Sequence, residues 1–293
     1  MKNYSKIIQL SSGQSVWTRT EGDGPIKILL LHGGPGMTHE YLEPFSNFIK
    51  NKPIQIIYYE QLGSYYSDQP DDKSLWNIPR FCKEIDEVRR AWGLENFYLY
   101  GQSWGGMLAM EYATRYGNHL KGLIDSNMVD SMHDYETYVN KLRDSMAPQD
   151  VAYMKKVESE NNTEDPHYNE LVMKLYQSCI CRLKPWPDAV NRAFDHTNEQ
   201  VYVTLQGPTE FTITGSLKTW SIRDRLKNIQ TPTLLLGGKY DSMNPNVIKD
   251  MANRLPNAAA HICPKGSHFS IWDDSQDYFE AIDSFLKQVE NKS

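Results

Sequence analysis

The strongest constraint on this chain's fold is a set of short, nearly unbroken apolar runs separated by helix-like stretches. The runs are Ile26 to Leu31, Pro53 to Tyr59, Phe97 to Tyr100, Leu123-Ile124, Thr233 to Leu236 and Ala259 to Ile262. Each is rich in β-branched, aromatic or leucine residues and is continuous instead of alternating, which fits strands buried on both faces. Between them, Phe81, Ile85, Val88 and Trp92 recur at helical spacing over Pro79 to Trp92, and Gly105 to Tyr116 is helix-compatible. Strands alternating with helices predict an α/β fold, a mostly parallel central sheet with helices on both faces.

From Asp130 to Gly215 strand-like runs vanish, and helix formers and charges dominate, punctuated by Pro148, Pro166, Pro185, Pro187 and Pro208. The strand pattern then resumes, and Tyr278 to Val289 reads as a final amphipathic helix. We therefore expect residues 1–129 and 217–293 to form the core and 130–216 an inserted helical cap, or lid. A length of 293 residues accommodates one large core plus such an insertion. Asp130 to Ser216 holds 14 acidic and 8 basic residues, net −6, and the remainder holds 23 of each. The whole formal charge thus falls on the cap, and an acidic cover favours a positively charged substrate.

The net charge of −6 and the lack of a basic run argue against nucleic acid. No run of 18 apolar residues crosses a membrane, and the first ten residues carry no apolar leader, so a cytoplasmic enzyme is expected. Cys82, Cys179, Cys181 and Cys263 have no zinc-type spacing and are expected as buried thiols. No metal and no organic cofactor is implied. The sequence leaves the oligomeric state open.

Gly101-Gln102-Ser103-Trp104-Gly105 matches G-x-S-x-G, a pattern that chance alone produces in roughly one protein of this length in ten. Its context sharpens it: a strand precedes it and a helix follows, as in the nucleophile elbow of α/β hydrolases. His32-Gly33-Gly34-Pro35-Gly36 follows the first strong strand, and in this reading the amides of Gly34 and Trp104 form an oxyanion hole. His32 is read as a prop for that turn. A serine needs a base, and the base an orienting acid; chain order in this fold is Ser, acid, His. Asp241 lies past the Thr233 strand, and His268 is the histidine downstream of it that lies beyond a strand end. Asp273 and Asp274 break the order and are expected as helix caps.

These residues resemble the proline iminopeptidase family of α/β hydrolases. The likeness rests on H-G-G-P-G at His32, Y-Y-E-Q-L-G-S-Y-Y-S-D-Q-P from Tyr58, G-Q-S-W-G-G, G-P-T-E-F-T-I-T-G from Gly207 and the terminal G-S-H, and spans about residue 15 to the C-terminus. It implies an α/β-hydrolase fold, a triad of Ser103, Asp241 and His268, oxyanion donors at Gly34 and Trp104, and a carboxylate at Glu210 that binds the substrate's free α-amino group. The implied substrate is a short peptide or amino-acid amide. Two departures bear on specificity. Ser242 replaces an acidic residue that commonly follows the catalytic aspartate, which weakens the charge trap for an amine. Glu60 replaces an aspartate, and Tyr65 and Tyr66 replace small residues, which places bulk near the pocket mouth. Ser242 keeps open an alternative in which the same triad hydrolyses esters or lactones lacking an amine. A third class, a ligand-binding pocket with an idle triad, is disfavoured because all three triad positions are filled. Epoxide hydrolysis and dehalogenation need a carboxylate where Ser103 stands.

Overall fold

The computed structural model describes residues 3–291. Eight strands form one sheet: β1 (Tyr4–Gln9), β2 (Ser15–Gly22), β3 (Ile26–Leu31), β4 (Ile54–Tyr59), β5 (Phe97–Gln102), β6 (Leu120–Ser126), β7 (Thr233–Gly238) and β8 (Ala258–Cys263). Their spatial order is β1-β2-β4-β3-β5-β6-β7-β8. From β4 to β8 every pairing is parallel, as expected from the continuous apolar runs. The N-terminal pair is different: β1 and β2 form an antiparallel hairpin, and β2 lies antiparallel to β4.

Each central strand divides its side chains between two cores. Leu29 and Leu31 of β3 and Ile57 and Tyr59 of β4 pack on one face; Ile28, Leu30, Ile56 and Tyr58 pack on the other. The second face is covered by α1 (Pro44–Phe48) and by the C-terminal helix, the first by α2 (Ile78–Ala91) and α3 (Trp104–Tyr116). The expected helix over Pro79 to Trp92 is α2 itself, capped by Asn77, whose side chain accepts from the Arg80 amide.

After β6 the chain leaves the sheet and forms α4 (Met132–Asp144), α5 (Pro148–Ser159), α6 (Pro166–Cys179), α7 (Asp188–Asp195) and α8 (Glu199–Leu205) before returning at β7. The two ends of this excursion pair with each other. Ser131 bridges Ser221, and the Ile222 amide donates to Asp130 O at 2.9 Å. The remaining helices are α9 (Pro245–Ala252), α10 (Ser270–Asp273) and α11 (Ser275–Glu290). No helix among the described residues is long and apolar enough to cross a membrane. The four cysteines are buried and free, and Cys181 lies beyond the end of α6.

Candidate active site

Ser103 sits between β5 and α3 with φ 55° and ψ −123°, a strained conformation for a side-chain-bearing residue. Its neighbours make that turn possible. A Cβ on Gly101 would lie 2.0 Å from the Gly105 carbonyl oxygen, and one on Gly105 would lie 2.2 Å from that of Leu31. Only glycine allows strand and helix to approach this closely. The Ser103 amide donates to Ser126 O at 2.9 Å, while its carbonyl accepts from the amides of Gly106 and Met107 and starts α3.

Asp241 follows the exit of β7 and is wholly buried; His268 follows β8 and is 5% exposed. The structure brings these two together, with His268 Nδ1 2.9 Å from Asp241 Oδ1. Burial alone would pull the imidazole down, but the charge and hydrogen bond of Asp241, aided by Glu210 and Asp273, hold it above its ordinary value. Ser103 and His268 line one cavity of about 390 Å³, and no hydrogen bond joins their side chains among the described residues. Gly34 lines the same cavity at φ +112°. A smaller recess beside it is bounded by Gly34, Ser103, Trp104 and Glu210. The Trp104 N–H is the first of α3 and has no intrahelical acceptor.

Glu210 projects from the segment after α8 into both spaces. Tyr202 donates its hydroxyl to Glu210 Oε1 at 2.6 Å, and the Tyr135 hydroxyl bonds Oε2. Burial and the Glu210 charge raise both phenols well above their ordinary range, so both remain donors. Among the described residues the carboxylate has no cationic partner; its hydrogen bonds come from these neutral groups.

His32 fills the role of a prop. Its Nδ1 pairs with Gly33 O at 2.8 Å, and Nε2 accepts from the Gln61 amide at 3.2 Å. Burial lowers the imidazole to about 4, so it is neutral at pH 7. Glu60 is a buried brace that accepts from the His39 and Tyr66 amides, and it does not line the cavity. Tyr65 and Tyr66 do not line it either. Tyr65 stacks on His196, centroids 3.9 Å apart, between the lining residues Asp195 and Thr197. Ser242 is buried with its hydroxyl 3.5 Å from Asp241 Oδ1, and it too is absent from the lining.

Asp274 takes the expected N-cap position of α11, though without a side-chain cap bond, whereas Asp273 caps no helix. Asp273 ends α10 and accepts from the Ser267 amide at 3.0 Å and the Arg182 amide at 3.1 Å, bracing the turn before His268. Asp274 stands at the N-cap position of α11, yet its carboxylate accepts from the Lys265 amide at 2.8 Å. The capping signature, an acidic residue before an amphipathic helix, concealed these longer-range bonds.

Three residues escaped the sequence reading. Tyr41 accepts from the Gly33 amide at 2.6 Å and donates to Gln102 Oε1 at 2.8 Å, and Gln102 Nε2 donates to His268 O at 3.0 Å. The glycine-rich turn, the elbow and the histidine loop are thereby linked. Asn127, just past β6, donates to Asp241 Oδ2 at 2.6 Å. Its place at a strand's C-terminal end was the available signal. The C-terminal end of α6 adds backbone bonds, with the amides of His268 and Phe269 donating to Cys179 O and Ile180 O at 2.9 and 2.8 Å. His261, Cys263 and Asp277 place possible ligand atoms within 4.8 Å of one another, but they lie outside the cavity and His261 Nε2 already pairs with Asp277 Oδ2 at 2.6 Å.

A family model described as the alpha/beta hydrolase fold matches residues 27–275. The chain is 45% identical over 284 residues to a proline iminopeptidase from Elizabethkingia meningoseptica, covering 95% of each chain. It is 43% identical over 282 residues to one from Flavobacterium johnsoniae, covering 94% of this chain and 95% of that one. Among solved structures, the proline iminopeptidase of Mycobacterium smegmatis superposes with a TM-score of 0.91 at 26% identity, covering 99% of both chains. VinJ superposes at 0.93 and 28%, covering 98% of this chain and 99% of that one. With this identity over nearly the whole length, the chain belongs to the proline iminopeptidase family of α/β hydrolases.

Proposed function

We propose that this protein is a serine aminopeptidase that releases N-terminal residues, proline or another small or apolar residue, from short peptides and amino-acid amides. The observation that carries the reading is the Glu210 carboxylate, unpaired by any cation among the described residues, in the same cavity as Ser103 and His268. A half-buried anion held by two tyrosines binds a substrate ammonium at little reorganisation cost. The family's enzymes support the same class of reaction.

In this mechanism the substrate's α-ammonium pairs with Glu210, and its scissile carbonyl oxygen points at the amides of Gly34 and Trp104. Ser103 Oγ attacks the carbonyl carbon while His268 Nε2 takes the hydroxyl proton, and Asp241 stabilises the imidazolium through Nδ1. The tetrahedral oxyanion is held by the two amides. His268 returns the proton to the leaving amine as the C–N bond breaks, and an acyl-enzyme remains on Ser103. Water, deprotonated by His268, then attacks the ester, and Ser103 is restored. The helices between residues 130 and 216 act as a lid that admits a chain end and excludes long polypeptides. We place the enzyme in the cytoplasm, in keeping with four free buried thiols.

The test compares an amino-acid amide with its N-acetylated counterpart in wild type and Ser103→Ala. Hydrolysis is expected for the free amine, strongly reduced for the acetylated form and lost in the variant. Equal rates on both substrates would replace this reading with a general amidase or esterase.

A further inference from the structure

The buried contacts of Asn127 extend the machinery behind the triad. β6 ends at Ser126, and Asn127 follows at φ 53°, in the left-handed region that asparagine tolerates better than most residues. Its amide N–H donates to Leu236 O of β7 at 2.8 Å, and its side chain is buried. Nδ2 donates to Asp241 Oδ2 at 2.6 Å and to Ser267 O at 3.1 Å, with Ser270 Oγ at 3.4 Å. Asp241 Oδ2 and Ser267 O can only accept, which settles that the nitrogen end of the amide faces them, and Oδ1 accepts from Ser126 Oγ at 2.6 Å. Behind it, Ser126 Oγ lies 2.8 Å from the Tyr278 hydroxyl, itself 2.7 Å from that of Tyr100.

The partners of Asp241 show what this contact supplies. Oδ1 receives His268 Nδ1 and the Met243 amide, both at 2.9 Å. Oδ2 receives Asn127 at 2.6 Å, with the Gly238 amide more distant at 3.4 Å. Among the described residues, the one ion pair of Asp241 is with His268. A neutral donor fixes the carboxylate without neutralising the charge that His268 needs when it becomes cationic. The same nitrogen reaches the carbonyl of Ser267, directly before His268, on a turn also held by Ser270 Oγ at 2.6 Å.

We infer that Asn127 is a positioning residue, its side-chain amide bridging the carboxylate of Asp241 and the backbone that carries His268. The inference rests on the triad proposed above. The charged and titratable groups around the pair are Glu210 and Asp273 near His268, and Tyr138 of α4 and Cys179 of α6 near Asp241; none of them lies between Asn127 and the aspartate.

Two substitutions separate positioning from packing. Asn127→Gly keeps the left-handed backbone and deletes the amide. Asn127→Asp keeps its shape and exchanges a donor for an acceptor. Measured on aminoacyl p-nitroanilides, kcat is expected to fall about 10–100-fold in the glycine variant with KM nearly unchanged. The aspartate variant is expected to lose more at pH 8, where two adjacent carboxylates cannot share a proton. The substrate-free NMR signal of the His268 Nδ1 proton is expected to broaden or vanish in both, while thermal melting shows folded protein. If the glycine variant does not fold, the isosteric aspartate variant carries the test. An aspartate variant with wild-type kcat and an intact Nδ1 signal would overturn the inference. If wild type cleaves no aminoacyl substrate, the proposed function fails, whereas the Nδ1 signal still reports on Asn127.

Discussion

Asp125 lies near the end of β6, 1% exposed, and neither carboxylate oxygen has a hydrogen-bond partner among the described residues. It sits so close to α3 that a Cβ on Gly106 would lie 2.3 Å from Oδ1. Burial, with a smaller contribution from the Asp130 charge, raises its carboxyl well above the ordinary value of 3.8. Asp130 itself pairs with Arg223 and Arg254. The native protein therefore keeps the Asp125 proton at pH values where the unfolded chain releases it. Because the folded value is the higher one, the group's stabilising contribution is intact below the unfolded range and drains away as pH rises toward the folded value. Between the unfolded and the folded value the slope is about 1.4 kcal/mol per pH unit. The Asp125→Asn substitution keeps almost the same side-chain shape and removes the titration. The new amide adds a pH-independent cost of about 1–3 kcal/mol if it finds no partner, so the absolute melting temperature is not the measure. The measure is the difference between variant and wild type across pH 4.5 to 7.5, by thermal or urea unfolding. The variant is expected to gain on wild type with rising pH, by about 2 °C in Tm for each kcal/mol in a chain of this size. Parallel stability curves across that range would refute a buried, protonated Asp125.

Three further substitutions or measurements test the site. Glu210→Gln retains the contacts of Tyr135 and Tyr202 but removes the anion; kcat/KM for a free-amine substrate is expected to fall about 100-fold, in line with about 3 kcal/mol for a partly desolvated ion pair, and the residual rate on the N-acetylated substrate is expected to be unchanged. Gly105→Ala would place a methyl 2.2 Å from the Leu31 carbonyl, so a loss of at least about 3 kcal/mol in stability and of most activity is expected in denaturant titration and assay. His32, lowered to about 4 by burial, stabilises the fold above its unfolded value near 6.5, and this contribution of about 3 kcal/mol is lost as pH falls through 4; its NMR resonances are expected to show the neutral ring down to about pH 5.

Much of this site is readable from short stretches of chain because steric demands between neighbours are written in consecutive residues. The elbow is the clearest case: Gly101 and Gly105 are required by contacts that any strand-turn-helix of that shape must make. The unbroken runs at Ile26 and Ile54 likewise announced strands with no wet face. The strands β1 and β2 went unread because five of the six β1 residues are exposed and β2 buries alternate side chains, so neither carries a continuous apolar run. Pairing defines them, and pairing is not local.

Sequence alone therefore determined the class of fold, the strained serine and a chain order in which an acid and a histidine lie past later strands. Tertiary structure alone decided which groups hold those residues. Asn127 meets Asp241 across 114 positions, and Gln102 meets the His268 carbonyl across 166. It also assigned Asp273 to the histidine turn and left Asp125 without a hydrogen-bond partner among the described residues. The physical reason is that a hydrogen bond or a desolvation cost depends on what surrounds a group in space, while residue type and spacing record only what lies beside it along the chain.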